Sequence, residues 1–170
     1  MNAPLETATH LSPVDFLRGL FGGTTGQTYL CALRNSDSKL PKGELDHTIT
    51  RSPDEVKKFV AKWDRPEHEC GIYFCTATLK QGATRRVAEN CEQYTSLFAD
   101  VDDKNHELSR EEALERLEQC ECAPAFIVDT GNGLHPYWMQ NGPSDDVERV
   151  MRVRAFRSSL HPTKFTTHRG

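Results

Sequence analysis

Two strand-forming runs, Ala125 to Thr130 and Leu134 to Gln140, flank the tripeptide Gly131-Asn132-Gly133. Asn-Gly between two such runs is the strongest short-range signal for a β-hairpin, because these residues tolerate the positive φ angles that match a tight turn to the twist of its strands. The chain is therefore constrained to contain an antiparallel pair, and its remaining segments must find places around one.

Those segments carry local punctuation of their own. Ser12-Pro13-Val14-Asp15 opens a first helix, with Ser12 as cap and Pro13 where a missing N–H costs nothing, and Gly22-Gly23 ends it. Thr28 to Leu33 is rich in strand formers, and the polar stretch after it, with Pro41 and Gly43, reads as a loop. Ser52-Pro53-Asp54-Glu55 is a capping box before Val56, Phe59, Val60 and Trp63 at helical spacing. Gly71 to Leu79 reads as a buried strand, Gln81 to Asn90 as a polar loop, and Tyr94 to Asp102 as a further strand. A second capping box, Ser109-Arg110-Glu111-Glu112, precedes Leu114 and Leu117, and a last helix is expected from Asp145. Helices and strands mixed in this order predict an α/β (α+β) fold with an antiparallel or mixed sheet and helices packed on it.

With 36% hydrophobic and 27% charged residues, the 170-residue chain has material for one core. The expected organisation is a single domain over residues 1–157 and an irregular basic tail over 158–170. No apolar run reaches the length of a membrane span and the N-terminus lacks a secretory pattern, so the expectation is a cytoplasmic protein with no membrane partner. Cys31, Cys70, Cys75, Cys91, Cys120 and Cys122 show no zinc-ligand spacing and are read as reduced, structural thiols.

Two constellations carry chemistry. Along Leu97-Phe98-Ala99-Asp100-Val101-Asp102 side chains alternate, so Asp100 and Asp102 are expected on the face opposite Leu97, Ala99 and Val101. Two carboxylates on one face repel unless a cation sits between them, which suits Mg²⁺ or Mn²⁺ with oxygen ligands. The same pattern also fits a strand that ends in solvated acids and turns at Lys104-Asn105. In the second constellation, Thr130 to Trp138, Pro136 stands where a dinucleotide fingerprint needs its third glycine, which excludes that fold. What remains is a glycine turn whose N–H groups can face an anion, with His135 just past it, placed either to donate to a phosphate or to bond a structural neighbour.

Charge is distributed unevenly. The net value is -4, yet the last 22 residues carry six basic side chains and no acid, leaving -10 on the first 148. This asymmetry fits a local contact with an anionic partner, and it equally fits a solvated helix face with a loose tail.

Taken together, the Asp-x-Asp strand, the capped helix and Val128-Asp129-Thr130-Gly131-Asn132-Gly133-Leu134-His135-Pro136-Tyr137-Trp138 resemble the archaeo-eukaryotic primase superfamily, in particular the primase-polymerases of plasmids, phages and mobile elements. The resemblance covers about residues 25 to 157 and extends to the strand Gly71 to Thr78 and the basic loop with Arg85 and Arg86. It implies an RRM-like primase-polymerase core that adds nucleotides to a DNA strand on a template. It further implies that Asp100 and Asp102 bind the catalytic Mg²⁺ or Mn²⁺, and that His135, with Thr130, Gly131, Asn132 and Gly133, contacts the nucleotide. Arg85, Arg86, Arg149, Arg152, Arg154 and Arg157 would then contact nucleic acid. The implied partners are nucleoside triphosphates, single-stranded or primer-template DNA, and a helicase or other replication protein.

One departure from that family is plain. A third acidic motif on a later strand has no counterpart here, because the acids after His135 are Asp145, Asp146 and Glu148, at the expected start of a helix, where they favour the positive end of its dipole. The alternative function is thus a non-catalytic nucleotide- or nucleic-acid-binding replication module.

Overall fold

The structure is a computed structural model that describes residues 10–102, 109–131 and 133–146. Among these residues the fold is mixed α+β, with two antiparallel sheets and three helices. The chain divides into two compact units, Met1–Glu92 and Gln93–Gly170. The helix expected from Asp145 and the tail expected from residue 158 fall largely or wholly outside the described residues.

In the first unit, α1 (Pro13–Phe21) starts where Ser12 Oγ accepts from Asp15 N at 3.2 Å. Helix α2 (Pro53–Trp63) starts where Ser52 Oγ accepts from Glu55 N at 3.4 Å. Three strands, β1 (Thr28–Arg34), β2 (Glu44–Thr50) and β3 (Cys70–Phe74), form a sheet with β1 in the centre, and β4 (Ala77–Leu79) follows. The expected strand from Gly71 to Leu79 is thus divided between β3 and β4. Strand β2 corrects the expected loop after Leu33. It is an edge strand, and its Asp46, His47 and Thr48 serve half-exposed positions where polar side chains cost little.

Helices α1 and α2 lie on the face of this sheet that carries Leu30, Ala32 and Phe74. Phe16 and Phe21 pack edge-on against Phe74, and Trp63 Nε1 donates to Asp46 Oδ2 at 3.1 Å. On the other face Tyr29, Cys31 and Leu79 form a second core, joined by Leu33, Ile49, Cys75, Ala83 and Cys91. Burial pushes the Cys31 and Cys75 thiols up and keeps them protonated, in keeping with packing residues.

Strand β5 (Cys91–Phe98) begins at the end of the first unit and runs into the second, which adds β6 (Val101–Asp102), α3 (Arg110–Glu118), β7 (Phe126–Asp129) and β8 (Gly133–Ser144). The capping box at α3 is complete: Ser109 Oγ accepts from Glu112 N at 3.2 Å, and Glu112 Oε2 accepts from Ser109 N at 2.8 Å. Strand β8 is central, antiparallel to β5 and β6 on one side and to β7 on the other. Strands β6 and β7 therefore run parallel, joined through α3, with β8 inserted between them in a split β-α-β arrangement. Ala113 and Leu117 of α3 bury Val101 and Leu134, with Leu114, Ile127 and Trp138 around them. No helix among the described residues is long and apolar enough to cross a membrane.

Candidate functional site

The expected strand from Tyr94 to Asp102 is interrupted at Ala99-Asp100, and the cause is Pro136. Leu97 pairs with Trp138 and Phe98 with Tyr137, while beyond the gap Val101 pairs with Leu134 and Asp102 with Gly133. One register therefore runs through both segments and sets Ala99 against Pro136 and Asp100 against His135. Ala99 N donates to Pro136 O at 3.2 Å, but proline has no N–H to return, so the ladder is broken there without a change of register.

That register puts Asp100 and His135 on a non-hydrogen-bonded rung, where opposed side chains approach most closely. His135 Nε2 lies 3.2 Å from Asp100 Oδ1, and the two side chains are 31% and 33% exposed. Two rungs away, on the same face, the rings of Phe98 and Tyr137 stack at 5.8 Å, and Phe98 also lies against His135 at 6.4 Å. The site face is thus a polar pair beside an aromatic pair, while Leu97, Val101 and Leu134 occupy the opposite, buried face with α3.

The backbone of Asp102 continues this register against Gly133; its side chain lies outside the described residues, as does Asn132. Among the described residues no three His, Cys, Asp or Glu side chains converge as a metal-binding group. Asp100 by itself offers a partly exposed carboxylate, a hard oxygen donor of the kind that Mg²⁺ and Mn²⁺ take.

The hairpin forms as expected, with Gly133 already the first residue of β8. Thr130 N and Thr130 Oγ1 both donate to Gly133 O at 3.0 Å, and Gly131 adopts φ +79°, the left-handed region open to glycine. The Gly131 N–H points not outward but to Asp129 Oδ1 at 2.8 Å, and Asp129 Oδ2 accepts from Arg110 at 2.7 Å. An anion at this turn has to compete with Asp129 for that amide. Reading the sequence identified neither Asp129 nor Arg110. The Asp that precedes Thr-Gly is a local signal for such an amide contact, whereas nothing in sequence links it to Arg110.

Arg85 and Arg86 are exposed in the first unit, where the Arg86 guanidinium stands 5.7 Å over the Tyr29 ring. Arg149, Arg152, Arg154 and Arg157 lie outside the described residues. The chain matches no family model, no curated protein and no solved structure.

Proposed function

We propose that this chain is a primase-polymerase-type nucleotidyltransferase domain of the archaeo-eukaryotic primase kind, acting in the cytoplasm. The observation that supports the reading best is the Asp100–His135 rung on a split β-α-β sheet, because it sets the first carboxylate of the Asp-x-Asp motif against the histidine of the glycine-turn motif. Spacing in sequence alone does not require that meeting.

In this reading the 3′-hydroxyl of a primer gives its proton to solvent, its oxygen bonds to the α-phosphorus of a nucleoside triphosphate, and the bond from that phosphorus to the β-phosphate oxygen breaks as pyrophosphate leaves. Asp100 and Asp102 would hold Mg²⁺ or Mn²⁺, which when bound supplies charge neutralisation at the reacting oxygens. His135 releases Asp100 and donates Nε2–H to a phosphate oxygen. Thr130, Gly131, Asn132 and Gly133 would contact the nucleotide beside it. Arg85, Arg86 and the arginines at 149, 152, 154 and 157 engage the strand backbone, where each neutralised phosphate of a single strand adds about -0.7 to the slope of log K against log salt. A helicase or other replication partner would present the template.

Primer extension tests this directly. The full chain with primer-template DNA, triphosphates and Mn²⁺ or Mg²⁺ is expected to lengthen the primer, and Asp100→Asn to abolish the product. The direct Asp100–His135 contact favours a second reading, a nucleotide-binding module without catalysis, since each group already satisfies the other. Triphosphate binding without extension in any divalent ion would select it.

A further inference from the structure

Among the described residues the sheet of the first unit carries α1 and α2 on one face, and its other face places three residues in a row. Cys31 on the central strand stands opposite His47 on β2 and opposite Tyr73 on β3, and residues directly opposed across antiparallel strands share a face. Tyr73 is 50% exposed, unusual for so large a ring, and its ring lies over Gly71, where a Cβ would meet it at 2.9 Å. The His47 side chain is 43% exposed and its ring is held by two contacts. It stacks on Tyr29 at 5.4 Å, and Nδ1 donates to Glu44 Oε1 at 2.8 Å. Glu44 is fixed in turn by the Tyr29 hydroxyl, which donates to Oε2 at 2.7 Å. Arg86 stands over Tyr29 on the loop that covers the middle of this face, with Arg85 exposed beside it.

We infer that this face is a platform for single-stranded DNA, with Tyr73 and His47 stacking unpaired bases and Arg85 and Arg86 contacting the backbone phosphates. Flat, exposed aromatic rings interleaved with guanidinium groups are what a strand with free bases recognises, because every base has a π-face and every linkage a charge. The Glu44 carboxylate beside this row is engaged by hydrogen bonds from both Tyr29 and His47. A paired duplex hides its base faces and has no use for the rings. The inference rests on the proposed function for the premise that this chain handles a DNA strand.

Fluorescence anisotropy with labelled dT20 and a duplex of equal length, measured on the full chain without nucleotide or divalent ion, keeps the two proposals distinguishable. A chain that binds dT20 through Tyr73 but fails to extend a primer retains this platform and loses the catalytic reading. Wild type is expected to prefer dT20; Tyr73→Ala should weaken it about fivefold or more while Tyr73→Phe keeps it. Arg86→Gln should flatten the salt slope by about 0.7. In a second measurement that needs no variant, dT20 should protect Tyr73 of the wild-type chain from nitration. Equal affinity of Tyr73→Ala and wild type, equal binding of duplex, or nitration of Tyr73 at the same rate with dT20 bound would each overturn the platform.

Discussion

His135 Nε2 meets Asp100 Oδ1 at 3.2 Å across a rung whose neighbour, Ala99–Pro136, lacks one hydrogen bond of its ladder. Both side chains are about one-third exposed, and ion pairs in that setting contribute at most about 1 kcal/mol to folding. Asp100→Asn and His135→Ala are therefore expected to unfold within about 1 kcal/mol of wild type in urea. Their ligand effects should differ: Asp100→Asn loses Mn²⁺ binding by calorimetry, whereas His135→Ala weakens triphosphate binding by about 1–3 kcal/mol, the scale of a hydrogen bond to a charged group. A His135→Ala chain that melts several degrees lower and binds triphosphate normally would make the histidine a purely structural partner of Asp100.

The turn that leads to His135 depends on two contacts of different kinds. At φ +79° a side chain on Gly131 is strained even though no atom lies within 4 Å of the Cβ position, so Gly131→Ala should cost about 1–2 kcal/mol. Gly142→Ala, on the same strand β8 with equally open space and no positive φ, should be close to neutral. Asp129→Asn keeps an acceptor for the Gly131 amide and loses the charge that holds Arg110, whereas Asp129→Ala loses both. Urea midpoints should fall in the order wild type, Asn, Ala; equal midpoints for Asn and Ala would mean that the amide contact contributes nothing.

What could be read from sequence was local in origin. The caps at Ser12, Ser52 and Ser109 each satisfy an amide three residues on, so their chemistry sits in a four-residue window, and all three helices begin where those windows indicate. The hairpin was legible for the same reason, although the place where β8 begins depends on the Thr130–Gly133 hydrogen bond rather than on Asn-Gly preference alone. Strand β2 was missed because an edge strand needs no continuous apolar run, and Asp46 and His47 looked like loop residues until their partners on α2 and β1 were in place. Asp100 and His135 were each visible as candidates, but their register follows from inserting β8 between β6 and β7, a choice made by the burial of Leu134 under α3 and not by either residue.

That burial can be tested directly. Leu134 is 2% exposed and packs with Val101, Ala113 and Leu117, so Leu134→Ala should cost about 2–5 kcal/mol through lost transfer energy and the cavity left behind. Because Asp102 and Asp129 both pair with residues of the same β8 segment, the amides of Val101 and Leu134 should also lose hydrogen-exchange protection together. A cost under about 1 kcal/mol would show that α3 does not close the core of this unit.

In the first unit, stability should respond to acid through Asp46. The Lys62 ammonium, 2.7 Å from Oδ2, is the main cause that holds this carboxyl below its ordinary value, with the Trp63 indole N–H acting in the same direction at 3.1 Å. The unfolded chain lacks both partners and takes up its proton near the usual value of about 4. Between that value and the lower folded one, the unfolded state binds more protons, so the contribution is complete above about pH 4 and is lost as pH falls further. Lys62 is 60% and Asp46 36% exposed, which keeps the whole effect below about 1 kcal/mol and makes it sensitive to salt. Asp46→Asn should therefore be less stable than wild type at pH 7 and low ionic strength, and the gap should narrow at pH 3 or at about 1 M salt. A gap that stays constant across both changes would assign the contribution to the Trp63 hydrogen bond and packing, with no part left for the Lys62 charge.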